Sequence, residues 1–128
     1  MTKRVLTIVE TAYRATVEEQ DDTVLWITHA MKGAGANLAV LLCGNAVNYA
    51  VRAQDASGLA FGDKKQTQPA RIAEDVAKLG SKGVEVFVVE DDVAERGLDR
   101  TKLVEGLRFV RRAGMPGLFA EYDQVWHW

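Results

Sequence analysis

The stretch GVEVFVVEDDVAERGL, residues 83–98, joins an apolar strand pattern to the start of a helix. Its apolar run VFVV leads directly into three carboxylates, Glu90, Asp91 and Asp92, and an Arg-Gly pair follows. A short apolar run without polar alternation is typical of a strand that is covered on both faces, as in a parallel sheet. The stretch therefore predicts a strand-to-helix junction at the carboxyl edge of a parallel sheet.

The same alternation of strand and helix patterns extends along the whole chain. Helices are predicted between the strands, with a first helix that ends near Gly33, a short helix at 45–52 and another that begins at Pro69. Residues 53–68 mix Gly, Asp, Lys and Gln without a period, which predicts a surface loop. Strands are predicted at 3–9, 36–43, 84–89, 107–110 and 124–128.

This order of elements predicts one domain over residues 1–128, an α/β fold with three α/β/α layers and a mainly parallel five-stranded sheet. The strand at 107–110 is placed at an edge because Arg108, Arg111 and Arg112 suit an edge better than the middle of a sheet. A broken helix is predicted over 92–105 and a short one over 116–122.

Composition excludes several classes of function. The chain has 128 residues, and its 16 basic and 18 acidic side chains are mixed along it, so its net charge is −2. That pattern does not favour nucleic acid or an anionic membrane as a partner. The single cysteine allows no internal disulfide and fits a reducing compartment. The opening residues MTKRVLTIV are interpreted as a strand, not a signal peptide, and a cytoplasmic protein is expected.

Ligands of open parallel sheets bind at the carboxyl ends of the strands. The loops predicted at that edge supply the candidate site residues, and the chain's last residues, Trp126-His127-Trp128, are predicted to reach the same edge. The candidates for a binding pocket are Glu10, Tyr13, Gly44, Asn45, Asp91 and Asp92, with Cys43 as a candidate catalytic nucleophile.

Cys43 has two interpretations. It stands where a strand passes into a helix N-terminus, and such a position can stabilise a thiolate. It also ends the apolar run LAVLLC, where a free cysteine commonly acts as a small buried hydrophobic residue. The buried interpretation is the better supported of the two.

The three acids after the third strand also have more than one interpretation. Asp92, three residues before Glu95, is suited to capping a helix, and Asp91 could do so one residue earlier. A magnesium site is the alternative, since hard cations prefer carboxylates. Neither histidine has a second His or Cys at ligand spacing, so no structural zinc site is predicted, and His127 is expected to be solvated. No cofactor is predicted.

In its order of motifs the chain resembles the DsrE/DsrF-like family of small sulfur-relay proteins. The resemblance covers nearly the whole chain and rests on the strand KRVLTIV, the strand-turn LAVLLCGNAV, the unit GVEVFVVEDDVAERGL and the AGM before the last helix. It implies an α/β/α domain that assembles into trimers or hexamers. It also implies a persulfide-carrying cysteine just after the third strand. In this chain Val89 occupies the position of that cysteine. The position of a second cysteine, found in some members, lies near Asp92, so both cysteines are absent from this chain.

Three functional hypotheses follow. The first is an oligomeric binding or accessory protein of the DsrE type that does not transfer sulfur, for which no enzymatic activity is predicted, and which is linked to sulfur metabolism through a relay partner. The second is an active sulfurtransferase-like carrier that uses Cys43, because persulfide transfer needs a nucleophilic sulfur. The third is a protein that binds a divalent cation through the loop from Glu90 to Asp92.

Overall fold

A five-stranded parallel sheet forms the centre of the protein. The computed structural model describes residues 3–13, 22–54, 60–67 and 69–128. The strands of the large sheet are β1 (Arg4–Val9), β2 (Asn37–Leu42), β5 (Glu85–Val89), β6 (Arg108–Val110) and β7 (Gln124–His127), and β3 (Ala60–Phe61) and β4 (Lys64–Lys65) form a separate hairpin.

The helices connect these strands. The α-helices are α1 (Thr23–Gly33), α2 (Ile72–Ser81), α3 (Glu90–Glu95) and α4 (Met115–Phe119), and 3-10 helices span Gly44–Ala50, Arg100–Lys102 and Arg112–Gly114.

The order of the strands in the sheet is β6-β5-β2-β1-β7, and every neighbouring pair is parallel. The chain moves from β1 in one direction through β2, β5 and β6, and then returns to place β7 on the other side of β1. The direction of winding therefore reverses between β1 and β7. The predicted α/β/α fold with its parallel five-stranded sheet, and the edge position of the strand at Arg108–Val110, are confirmed.

The strands are apolar on both sides because both sides of the sheet are covered. Alternate residues of β1, β2 and β5 contribute to two separate buried clusters. The first cluster packs the sheet against α1 and α2, and its members include Val9, Leu25, Val40, Leu42, Val76, Leu79, Val86 and Val88. The second packs the opposite face against α4 and includes Leu6, Ile8, Ala39, Leu41, Cys43, Phe87, Val89 and Leu118.

Helix α2 forms as its sequence predicts, because Ile72, Val76 and Leu79 recur on one face and all three are buried. Its start differs from the prediction. The helix begins at Ile72, three residues after Pro69, and its N-cap is Arg71. Proline is compatible with the first helical position but does not require it.

Other local predictions need correction. The predicted loop at 53–68 contains the β3–β4 hairpin. The apolar residues Val24 and Ile27 recur at helical spacing in the first helix, but the helix buries Val24, Leu25 and Thr28 and leaves Ile27 exposed. The broken helix predicted at 92–105 begins two residues earlier, at Glu90, and α3 ends at Glu95.

Helix α1 is anchored by a buried carboxylate. Asp22 is its N-cap and accepts hydrogen bonds from the backbone N–H groups of Val24 (2.8 Å) and Leu25 (3.1 Å). The other carboxylate oxygen accepts a bond from the Tyr49 hydroxyl at 2.6 Å, and both side chains have no exposed surface. A capping box predicted at residues 16–19 lies outside the described residues.

No helix in the described part of the chain is both long enough and apolar enough to cross a bilayer.

Candidate functional site

The carboxyl ends of all five parallel strands meet at one edge of the sheet, as the sequence predicts. Most of the candidate residues lie in the segments that leave this edge. The segment after β1 contributes Glu10, and the segment after β2 contributes Cys43, Gly44 and Asn45. After β5, Glu90 to Asp92 form the start of α3. Arg111 and Arg112 follow β6, and His127 is the last residue of β7.

Cys43 lies at the end of β2 with its side chain in the second apolar cluster. Only 8% of the residue is exposed, and its backbone N–H donates to the Val9 carbonyl at 3.0 Å. Burial raises the pKa of the thiol to about 11, and the nearby carboxylates of Glu10 and Asp92 act in the same direction, against the opposing charge of Arg96. At neutral pH the group is therefore a protonated thiol, and the geometry favours the buried interpretation.

Gly44 makes the turn that follows Cys43, and this position requires glycine. Its φ is +54°, a left-handed conformation that side chains disfavour. A Cβ atom there would also lie 3.1 Å from the Cγ of Glu10 and 3.3 Å from the Glu10 carbonyl oxygen. The absence of a side chain allows the loop after β1 and the loop after β2 to come into close contact.

Asp92 is the central acid of the site. It is buried, and its Oδ2 accepts a hydrogen bond from the Gly44 N–H at 2.7 Å. Its Oδ1 accepts from Nη2 of Arg112 at 2.5 Å, and Nη1 of Arg96 lies 3.9 Å away. A single carboxylate thus joins the segments that follow β2, β5 and β6.

The prediction that Asp91 or Asp92 caps a helix is wrong. Helix α3 begins at Glu90, its N-cap is Val89, and no side chain caps it. Strand β5 passes into the helix without a loop, so both aspartates lie within the first turn. Asp91 accepts a hydrogen bond from the Arg112 backbone N–H at 2.8 Å, and this bond is the main cause of its lowered pKa.

Arg96 and Asn45 form a second set of contacts across the same edge. Asn45 Oδ1 accepts from Nε and Nη2 of Arg96, at 3.1 and 3.0 Å. Nη1 of Arg96 donates to the backbone carbonyl of Asp92 at 3.2 Å. The Arg-Gly pair that marks the end of α3 in the sequence therefore holds the turn after β2 in place.

Arg112 is a site residue that the sequence identified only as a charged neighbour of an edge strand. Besides Asp92, its Nη2 contacts both carboxylate oxygens of Glu95, at 3.0 and 3.1 Å. These two carboxylates raise the pKa of Arg112. Its charge next to an edge strand was visible in the sequence, but its partners lie 20 and 17 residues away and no spacing rule connects them.

His127 is exposed, as expected of a solvated histidine, yet it has a defined partner. Its Nε2 lies 2.6 Å from Oε2 of Glu10. The pair bridges the carboxyl ends of β1 and β7, the point where the winding of the sheet reverses. Ligands of open α/β sheets bind at such reversal points.

Tyr13 is not brought to this edge by any described contact. Its hydroxyl lies 2.5 Å from Oε1 of Gln54, and its ring meets the Tyr49 ring edge to face at a centroid distance of 5.4 Å. Its φ is +57°, in the left-handed region. Burial raises its pKa.

The acids of α3 are matched by arginines. Glu90 lies 3.5 Å from Arg100, and Asp91 and Asp92 both contact Arg112. Within the described residues, no group of three or more His, Cys, Asp or Glu side chains is arranged to hold a metal ion. The cation hypothesis gains no support from this geometry.

Comparison with known proteins identifies the fold. No family model matches the chain, and no curated protein matches it. Among solved structures, the chain is similar to the ychN protein from E. coli, with a TM-score of 0.72, 17% identity and full coverage of both chains.

Two further structures belong to proteins of unknown function. MTH1491 from Methanobacterium thermoautotrophicum has a TM-score of 0.64 and 15% identity, over 95% of this chain and 96% of that one. BT1422 from Bacteroides thetaiotaomicron has a TM-score of 0.69 and 11% identity, over 98% of this chain and 95% of that one. Identities this low establish a shared fold alone.

Proposed function

We propose that this protein is a DsrE-like, self-associating binding or accessory protein that does not carry sulfur. The observation that supports this most strongly is the state of Cys43, the only cysteine in the sequence. Its thiol is buried and its pKa is raised to about 11, whereas sulfur carriers need an accessible thiolate.

The positions that correspond to the family's cysteines have other uses in this chain. Val89 is fully buried in the same apolar cluster as Cys43. Asp92 is occupied by the Gly44 N–H and by Arg112. Val89 thus belongs to the core and Asp92 connects the loops, which supports a structural use of the edge where the family carries sulfur.

What remains accessible at this edge suits recognition rather than group transfer. Glu10, His127 and Asn45 are exposed and offer hydrogen-bond donors and acceptors next to one another. Asn45 is held by Arg96, His127 contacts Glu10, and Glu10 packs closely against Gly44, so little ordering is needed on binding.

The second candidate function, a sulfur carrier that uses Cys43, has one observation in its favour. Cys43 lies at the ligand-binding edge, within electrostatic reach of Glu10, Asp92 and Arg96. In that case the Cys43 thiolate would attack the terminal sulfur of a donor persulfide. A new Sγ–S bond would form, and the donor would leave as its own thiolate.

Persulfide labelling followed by intact-protein mass spectrometry separates the two functions. The chain is incubated with a cysteine desulfurase and cysteine, or with a rhodanese and thiosulfate, and Cys43→Ser serves as the matched control. We expect no sulfur on the parent chain beyond that found on Cys43→Ser.

Removable sulfur on the parent chain and none on Cys43→Ser would overturn the proposed function and establish the carrier. A rhodanese that is charged in the same reaction confirms that the donor was active.

A further inference from the structure

The two edges of the large sheet are protected very differently. At one edge, β6 carries Arg108, and Arg111 and Arg112 follow it directly. The Arg100 guanidinium also lies 3.8 Å from the centre of the Phe109 ring. Charged side chains of this kind are the usual means by which an edge strand is kept from pairing with another chain.

The opposite edge, β7, has no such protection. The segment QVWHW, residues 124–128, contains no Lys, Arg, Asp, Glu or Pro, and it exposes Val125 (38%) and Trp128 (46%). One side of β7 bonds to β1 along its length, from the Asp123 N–H to the Trp128 N–H. No strand of the described residues pairs with its other side.

We propose that β7 is the self-association surface of this protein, and that it pairs edge to edge with β7 of a second copy around a two-fold axis. The inference specifies the surface for the self-association that forms part of the proposed function. Two parallel sheets would then join into one continuous sheet of ten strands, with an antiparallel pair at the junction.

The distribution of charge favours pairing with a second copy of the chain at the β7 edge and disfavours it at the β6 edge. Pairing of β7 with itself places no ionic side chain opposite a like charge, because residues 124–126 are uncharged. The antiparallel direction brings Asp123 of one copy toward the His127 end of the other. Pairing of β6 with itself would instead bring arginines together, which is destabilising.

Symmetry gives a second reason. Any strand that pairs with β7 must itself have an open edge, and a second copy of this chain supplies one with the same apolar side chains. A two-fold interface satisfies the open hydrogen-bonding groups of both copies at once. Valine and tryptophan side chains, exposed in the single copy, gain cross-strand contacts in the pair.

The interface would also border the candidate site. His127 belongs to β7 and contacts Glu10, so a second copy seated on β7 lies next to this pair. Binding at the carboxyl edge and assembly of the two copies would thus share one strand.

Light scattering after size-exclusion chromatography tests the proposal, with Val125→Lys as the disrupting variant. Ile27→Lys is the matched control, since Ile27 is also 38% exposed but lies on the outer face of α1. We expect the parent chain and Ile27→Lys to have the same mass, an even multiple of 14.1 kDa. Val125→Lys should have half that mass or less while its circular dichroism is unchanged.

A parent chain that is a monomer at micromolar concentration would overturn both this surface and the self-association in the proposed function. An oligomeric parent whose mass is unchanged by Val125→Lys would overturn the surface alone. So would a trimer, because a two-fold interface requires an even number of copies.

Cysteine cross-linking keeps the test decisive if Val125→Lys fails to fold. In a Cys43→Ser background, a single cysteine is placed at Val125 or, as the control, at Ile27. The register that brings Asp123 toward His127 of the other copy places position 125 of both copies opposite each other at the two-fold axis, within disulfide range. We expect a disulfide-linked dimer from position 125 and none from position 27, and the reverse result would contradict the proposal.

Discussion

At the scale of single residues, Cys43 shows how position governs reactivity. The thiol sits at a strand-to-helix junction that could activate it, yet burial and two carboxylates oppose ionisation. The helix that follows is a 3-10 helix of seven residues, and the apolar neighbours of Cys43 outweigh any stabilisation of a thiolate by its N-terminus.

Replacing Glu10 with Gln should lower the pKa of Cys43 below about 11, because a nearby negative charge is removed. The value should stay above the ordinary 9.0, since burial is the larger cause. The rate of iodoacetamide modification against pH, read by mass spectrometry, measures this. Glu85→Gln, at the opposite end of the sheet, should leave the profile unchanged, and a parent pKa at or below 9.0 would contradict the assignment.

Asp92 should matter more for stability than the neighbouring acid that shares its arginine. Asp92→Ala leaves the Gly44 N–H without its acceptor and removes a buried partner of Arg112, at a cost of about 2–3 kcal/mol in the free energy of unfolding. Glu95→Ala removes an exposed ion pair and should cost less than about 1 kcal/mol.

Urea denaturation of both variants gives the comparison. Asp92→Asn should fall between them, because it keeps an acceptor for Gly44 while it loses the charge. Equal costs for Asp92→Ala and Glu95→Ala would show that Asp92 does not join the loops as described.

At the scale of elements, α1 depends on one buried carboxylate. Asp22→Ala removes the acceptor of two helix N–H groups and leaves the buried Tyr49 hydroxyl without it. We expect a loss of about 2–4 kcal/mol in the free energy of unfolding, the sum of a lost N-cap and a lost buried hydrogen bond.

A matched control for this variant is Asp99→Ala. Asp99 caps an exposed 3-10 turn by accepting from the Thr101 N–H at 2.9 Å, so its removal should reduce the free energy of unfolding by much less than removal of Asp22. Thermal or urea unfolding distinguishes the two. A loss from Asp99→Ala as large as that from Asp22→Ala would mean that burial contributes nothing to the cap.

At the scale of the whole molecule, assembly through β7 should appear as concentration-dependent stability. When folding is coupled to association, the melting temperature rises with protein concentration. Between about 1 and 100 µM the parent chain should gain on the order of 5 °C. The melting temperature of Val125→Lys should rise less over the same range, and a parent chain that melts at one temperature throughout would contradict assembly.

The elements of the fold could be predicted from sequence because their signals are local. Apolar runs without alternation, such as VFVV, required strands covered on both faces, and the arginines after Leu107 placed that strand at an edge. The loops at the carboxyl edge followed from the parallel direction of the strands. Local patterns were less reliable for the first residue of each helix, so Pro69 and Asp92 were wrongly placed at helix N-termini.

Only the tertiary structure decided how the site residues are paired. The contacts join residues that are far apart in sequence. Asp92 and Gly44 are 48 residues apart, Arg112 and Asp92 are 20 apart, and His127 and Glu10 are 117 apart. Such pairs carry no periodic signal, because they depend on which strand ends become neighbours in the sheet. The sequence by itself determined the sheet, its edge strand and the presence of a single cysteine. The packing of strands from distant parts of the chain decided that this cysteine is buried and that the acids connect the loops, since burial and charge are properties of the assembled edge.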